Sequence, residues 1–158
     1  MPDRGVFLAA FLTLVLVVAG AFAIPEFFIY ELLTSTVFVV IAVMVFFGED
    51  KFPYMLGIIA PILWFVFSLL TGGLVAALGA TVRFLSGKPS TSFETPLHGF
   101  AFLAALVLLV LSSRAWRKQI TEKFLGKTFA TAAVISLIWV VALAAWQYHQ
   151  FSGVVRPH

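Results

Sequence analysis

The chain has 158 residues, of which 62% are hydrophobic and 11% are charged, and its formal net charge is +3. A typical globular domain carries about 25% charged residues, so this composition indicates residence in a lipid bilayer. The mean hydropathy of +1.09 agrees, and the length leaves room for a single integral membrane domain, 1–158, without a separate soluble one. The sequence has no cysteine, which excludes disulfides, thiolate metal sites and cysteine nucleophiles.

The first apolar run, 5–24, is long enough for a membrane-spanning helix. The sequence Ala21-Phe22-Ala23 at its end imitates a signal-peptide cleavage site, but the run is longer than a signal core of about 7–15 residues. We therefore expect a first spanning helix, with a four-helix chain as the alternative if this segment is cleaved. The second predicted span covers 27–47 and places Glu31 in its first turn, where the helix dipole favours a carboxylate.

The longest uncharged stretch lies in the middle of the chain and predicts a third span over 54–85, kinked at Pro61. Gly72-Gly73 is a second weak point, so the alternative is a span to about Leu70 followed by a half-helix. We favour the single kinked helix because small residues form a stripe along it, and such a stripe lets another helix approach closely. The predicted helix-packing residues are Gly73, Ala76, Ala77 and Ala80.

The last third of the chain predicts two further spans, 97–113 and 129–149. Thr95 followed by Pro96 is typical of a helix start. Between the spans, a basic stretch with apolar residues at every fourth position predicts a short amphipathic helix over 114–125 at the lipid headgroups. The headgroup contacts expected there are Arg114, Trp116, Arg117, Lys118 and Lys123. The sequence therefore predicts an all-α polytopic membrane helix bundle with five transmembrane helices.

The basic residues are distributed unevenly between the two sides that five spans define. Seven lie with the N-terminus: Arg4, Lys51, Arg114, Arg117, Lys118, Lys123 and Lys127. Three lie on the opposite side: Arg83, Lys88 and Arg156. By the positive-inside rule, we expect a cytoplasmic N-terminus and an external C-terminus, as in a bacterial-type inner membrane. Anionic lipid explains the basic loop, so no nucleic-acid partner is inferred.

The middle of every predicted span lacks ionisable residues and carries only hydroxyl side chains, which bond to carbonyls of their own helix. Ionisable residues gather at the external end instead: Glu26, Glu31, Arg83, His98, His149 and His158. Of these, His98 and His149 are the candidate cofactor ligands, because imidazoles on adjacent helices bind haem iron or chlorin magnesium. The simpler interpretation is that both histidines are interfacial and that there is no cofactor. A candidate carboxylate pair is Glu26 with Glu31, or Glu49 with Asp50, and solvation in a turn is the simpler interpretation of both.

Three functions are compatible with the sequence. Small size, uncharged span centres and abundant aromatic residues favour a non-catalytic accessory or scaffold subunit of a larger membrane complex, respiratory or photosynthetic, with other membrane subunits or a second copy as partners. A small oligomeric channel or transporter, with a pore near Gly72-Gly73, is the first alternative. A haem-, chlorin- or quinone-binding protein that uses His98 and His149 is the second.

Overall fold

The computed structural model describes residues 4–48, 51–88, 96–119 and 126–154 of the chain. Within these ranges the chain forms six α-helices and no strand. The helices are α1 (Arg4–Ala23), α2 (Phe28–Phe46), α3 (Lys51–Leu70), α4 (Gly73–Leu85), α5 (Pro96–Gln119) and α6 (Gly126–Val154). One turn of 3-10 helix, Pro25–Phe27, connects α1 to α2.

Five of the six helices are long and apolar enough to cross a membrane, so the predicted all-α membrane helix bundle is confirmed. The exception is α4, which has only 13 residues. At about 1.5 Å per residue it is about 20 Å long, shorter than a hydrocarbon core of about 30 Å. The outer surface of the bundle is apolar, with side chains such as Leu70, Val75 and Ile138 more than 60% exposed within the chain. Such a surface is suited to contact with lipid.

The single kinked helix predicted over 54–85 is wrong, because the chain divides there into α3 and α4. Pro61 lies inside α3 without ending it. The break comes at Gly72, whose φ of +79° lies in the left-handed region that favours glycine. This residue ends α3 in the manner of a C-terminal glycine cap. Its carbonyl oxygen then accepts the backbone N–H of Ala76 at 3.1 Å, which begins α4.

The separate amphipathic helix predicted over 114–125 is also wrong in its described part. Helix α5 continues without interruption to Gln119. Ala115 is buried and Trp116 packs against the core. These tertiary contacts keep the last turn on the same axis as the rest of α5. Arg114, Arg117 and Lys118 are exposed on the same turn, where cations also complement the helix dipole. Lys123 lies outside the described residues.

The bundle is arranged around α1 and α5. Helix α1 packs against α2 and α5, α5 also contacts α3 and α4, and α6 packs against α3 and α2. Small side chains allow this close packing of α5, and its buried alanines are Ala101, Ala104, Ala105 and Ala115. A cluster of aromatic rings joins the helices near the centre, where Phe38 contacts both Trp64 and Trp139 edge to face.

A close contact between helices lies where α4 crosses the start of α5. A Cβ atom added at Gly99 would lie 2.8 Å from the carbonyl oxygen of Ala77 and would overlap Thr81. The Thr81 hydroxyl donates to the Ala77 carbonyl oxygen at 2.9 Å and lies 3.1 Å from that of Pro96. Of the predicted packing stripe, Ala77 and Ala80 are buried, whereas Gly73 and Ala76 are half-buried.

Hydroxyl side chains inside the spans bond mainly to their own helices, as predicted. Four of them donate to carbonyl oxygens three or four residues earlier: Thr13, Ser35, Thr36 and Thr71. Ser136 differs, because its hydroxyl is buried and has no hydrogen-bond partner in the described part of the chain. These bonds satisfy the polar groups locally, so the hydroxyls do not by themselves indicate a pore.

Candidate functional site

A cavity of about 270 Å³ lies at the end of the bundle where α1 and α3 end and where α2, α4 and α5 begin. We call it the Glu31 cavity. Its described walls come from five helices and the turn between α1 and α2. They are formed by Ile24, Glu26, Phe27, Tyr30, Glu31, Trp64, Ser68, Thr71, Gly73, His98, Phe102, Trp146, Gln147 and Gln150.

The ionisable centre of this cavity is a buried pair formed by Glu31 and His98. Nε2 of His98 lies 2.8 Å from Oε1 of Glu31, and both residues are only 5% exposed. Each residue lies in the first turn of its helix, on α2 and α5 respectively. An ionised carboxylate can only accept, so in that state the Nε2–H of His98 donates to Oε1.

Helix α1 makes room for this pair at Gly20. A Cβ atom added there would lie 3.0 Å from Nε2 of His98, closer than an ordinary van der Waals contact. The glycine therefore lets the imidazole lie against the α1 backbone while it reaches Glu31 on α2. Because α1 packs against both α2 and α5, this close approach brings together two residues that are 67 positions apart in the sequence.

Among the described residues, two buried oxygen atoms in the cavity wall have no hydrogen-bond partner: Oε2 of Glu31 and Oε1 of Gln147. A buried carboxylate oxygen without a donor is unfavourable by about 1–3 kcal/mol, and more if it is charged. Native proteins rarely retain such groups without a reason, and a ligand that donates hydrogen bonds is one such reason. Both oxygens belong to residues that line the same cavity.

Aromatic side chains form much of the apolar wall. Trp64 and Phe102 stack with ring centroids 4.3 Å apart and planes inclined by 26°. Tyr30, Phe27 and Trp146 also line the cavity. The site thus combines a buried carboxylate with several aromatic rings, the mixture of apolar walls and few polar groups that is typical of small-molecule pockets.

The sequence-predicted site residues are distributed unequally around this cavity. His98 lines it, whereas His149 is exposed at the end of α6 and is not among the described lining residues. The predicted use of both histidines as ligands of one cofactor is therefore not supported by the cavity. Glu26 and Glu31 do line one cavity, although Glu26 is exposed and Glu31 is buried. Within the described residues, no group of three or more His, Cys, Asp or Glu side chains is arranged to hold a metal ion.

Several important residues were missed from the sequence. Gly20 carried no signal, because an isolated glycine in an apolar run is common. Trp64 and Gln147 looked like ordinary residues of a span and of a helix end. The sequence feature that indicated this site was the presence of Glu26, Glu31 and His98 at the same predicted end of the bundle.

Comparison with protein-family models, curated proteins and solved structures finds no match to this chain.

Proposed function

We propose that the chain is a membrane protein that binds a small amphiphilic molecule in the Glu31 cavity. The observation that carries the proposal is the buried, unpartnered Oε2 of Glu31 in the wall of a cavity of about 270 Å³. A buried polar atom without a hydrogen-bond partner is rare in native proteins and calls for an explanation, and a bound ligand is one such explanation. Ligand pockets in proteins measure about 300–1,000 Å³, so this cavity suits a molecule of roughly one ring.

A panel of one-ring molecules tests this proposal. The protein in nanodiscs is titrated with phenol, benzyl alcohol, benzylammonium and benzoate, and binding is followed by tryptophan fluorescence, because Trp64 and Trp146 line the cavity. We expect at least one saturable titration. Gln147→Trp, which places a large side chain in the wall, is expected to weaken binding at least tenfold. Signals that never saturate, or that are the same in this variant, would contradict a binding function for the cavity.

The accessory-subunit function is retained as a second candidate because of α6. Only 22% of its most apolar window is buried within the chain, against 39–50% for the other four spanning helices. We propose a different membrane subunit as the occupant of this face, which exposes Val134, Ile138 and Val141 among others. Purification in mild detergent from native membranes is expected to return a stoichiometric partner, and Ile138→Trp is expected to reduce its yield severalfold. Recovery of a lone monomer or of a homo-oligomer would contradict this candidate.

We also propose that the N-terminus is cytoplasmic, which places the Glu31 cavity on the external side of a bacterial-type inner membrane. The support is the excess of seven basic residues over three. Alkaline phosphatase fused after His158 is then expected to be active, and green fluorescent protein fused there is expected to be dark. A fluorescent fusion with inactive phosphatase would reverse the orientation and place the cavity on the cytoplasmic side.

A further inference from the structure

We propose that the ligand of the Glu31 cavity presents an ammonium group to Oε2 of Glu31. This inference rests on the proposed binding function and adds the chemical class of the ligand. The two buried oxygens without a partner among the described residues, Oε2 of Glu31 and Oε1 of Gln147, are both hydrogen-bond acceptors. An amide can rotate to present its NH₂ group instead, but an ionised carboxylate can only accept. Glu31 therefore requires a donor.

The charge of the cavity wall favours a cationic donor over a neutral one. Glu26 and Glu31 both line the cavity, and its described lining contains neither lysine nor arginine. His98 already uses Nε2 on Oε1 of Glu31, so that nitrogen is not available to Oε2. A neutral imidazole is sufficient for this bond, and it orients the carboxylate without cancelling its charge. Hydrogen bonds between charged groups are about twice as strong as neutral ones.

The apolar wall has the chemistry that recognises organic cations. Ammonium groups are attracted to the faces of tryptophan, tyrosine and phenylalanine rings, with tryptophan the strongest. Trp64, Trp146 and Tyr30 line the cavity together with Phe27 and Phe102. An inorganic cation would prefer a shell of oxygen atoms over such rings, so the combination of rings and carboxylate favours an organic ammonium.

Two sources can supply this group: a free organic amine and the ethanolamine headgroup of a membrane lipid. The cavity lies among the first turns of α2 and α5, at a depth that headgroups reach. The ammonium group is common to both sources, so the experiment has one arm for the chemical class and one for the source.

The first arm compares three probes of similar shape and different charge: benzylammonium, benzyl alcohol and benzoate. Each is titrated into the protein in phosphatidylglycerol nanodiscs at constant ionic strength, with empty nanodiscs as the blank. We expect benzylammonium to bind at least tenfold more tightly than benzyl alcohol and benzoate not to bind. Glu31→Gln keeps an acceptor for His98 but removes the charge, and it is expected to abolish the preference for the cation. Glu26→Gln, at an exposed carboxylate of the same wall, is expected to weaken binding less.

The outcomes separate this inference from the function on which it rests. If all three probes bind equally, or if benzyl alcohol or benzoate binds best, the assignment of an ammonium ligand is wrong. The proposal that the cavity binds a small molecule is then still supported. If benzylammonium alone binds but Glu31→Gln binds it equally well, the assignment to Glu31 is overturned. If none of the three binds and phenol also fails to bind, both the assignment and the binding function fail, whereas binding of phenol alone overturns only the ammonium assignment.

The second arm repeats the benzylammonium titration in nanodiscs that contain phosphatidylethanolamine. A tenfold or greater loss of apparent affinity identifies the lipid headgroup as a competing occupant. Unchanged affinity excludes the lipid headgroup as the occupant and leaves a free amine as the source. Both results support the ammonium class, which only the first arm can overturn.

Discussion

Replacement of Gly99 by alanine is expected to force α4 away from α5 and to destabilise the protein by about 1–3 kcal/mol or more, the usual effect of overpacking. The added methyl group would lie 2.8 Å from the backbone oxygen of Ala77 and would overlap the side chain of Thr81. A backbone atom cannot rotate aside as a flexible side chain can. We expect the midpoint of thermal aggregation in detergent, measured by size-exclusion chromatography, to fall by about 2–4 °C per kcal/mol.

Gly79→Ala provides the matched control for this prediction. It makes the same chemical change on α4, but at a position where the added Cβ atom would meet nothing within 4 Å. Alanine is favoured over glycine inside a helix by about 0.5–1 kcal/mol, so this variant is expected to be as stable as the parent or more so. Equal behaviour of the two variants would show that the contact between α4 and α5 contributes little.

Removing one member of the Glu31–His98 pair is expected to destabilise the protein strongly, whereas removing both is not. Loss of one partner from a buried hydrogen-bonded pair leaves the other group buried and unpaired, which lowers stability by about 1–3 kcal/mol and by more when that group is charged. His98→Leu leaves the carboxylate, and Glu31→Met leaves the imidazole. We expect His98→Leu to be the worse of the two, since a carboxylate loses more than a neutral ring on burial.

The double variant Glu31→Met/His98→Leu distinguishes pairing from general packing. Replacement of a buried pair by apolar residues of similar volume is often neutral or stabilising. We expect its thermal midpoint to lie above that of His98→Leu, with a coupling energy of at least about 1 kcal/mol in the double-mutant cycle. Additive losses would contradict a direct interaction between the two side chains.

The existence of the helices could be predicted from the sequence, because an apolar run in lipid has no stable alternative to a helix or a closed barrel. A helix boundary was also predicted accurately where the sequence contains a specific capping pattern. Helix α5 begins at Pro96, as the Thr95-Pro96 pair indicated. At Gly72-Gly73 the local signal was ambiguous, because glycine permits both continuation and termination of a helix. In the structure Gly72 has a φ of +79° and ends α3, and α4 then packs against α5.

The sequence predicted at which end of the bundle the site lies, but not which side chains contact each other there. Successive spans cross the membrane in alternate directions, which places Glu26, Glu31 and His98 at the same end of the bundle. The number of predicted helices is sufficient for this prediction. Which helices are neighbours is not contained in hydropathy. The Glu31–His98 bond depends on the packing of α1 against both α2 and α5, and on Gly20 for space. The prediction that His98 and His149 bind one cofactor was made without knowing which helices are neighbours.

The separation of 67 residues between Glu31 and His98 has a consequence for synthesis of the protein in the cell. Ribosomes add about 5–20 residues per second, so Glu31 is made roughly 3–13 s before the imidazole of His98 exists. During this interval the nascent chain carries a carboxylate whose final partner has not been translated. The position of Glu31 in the first turn of α2 allows it to remain hydrated at the headgroups while α3 and α4 are inserted. A glutamate at the centre of the same helix would face hydrocarbon throughout that delay.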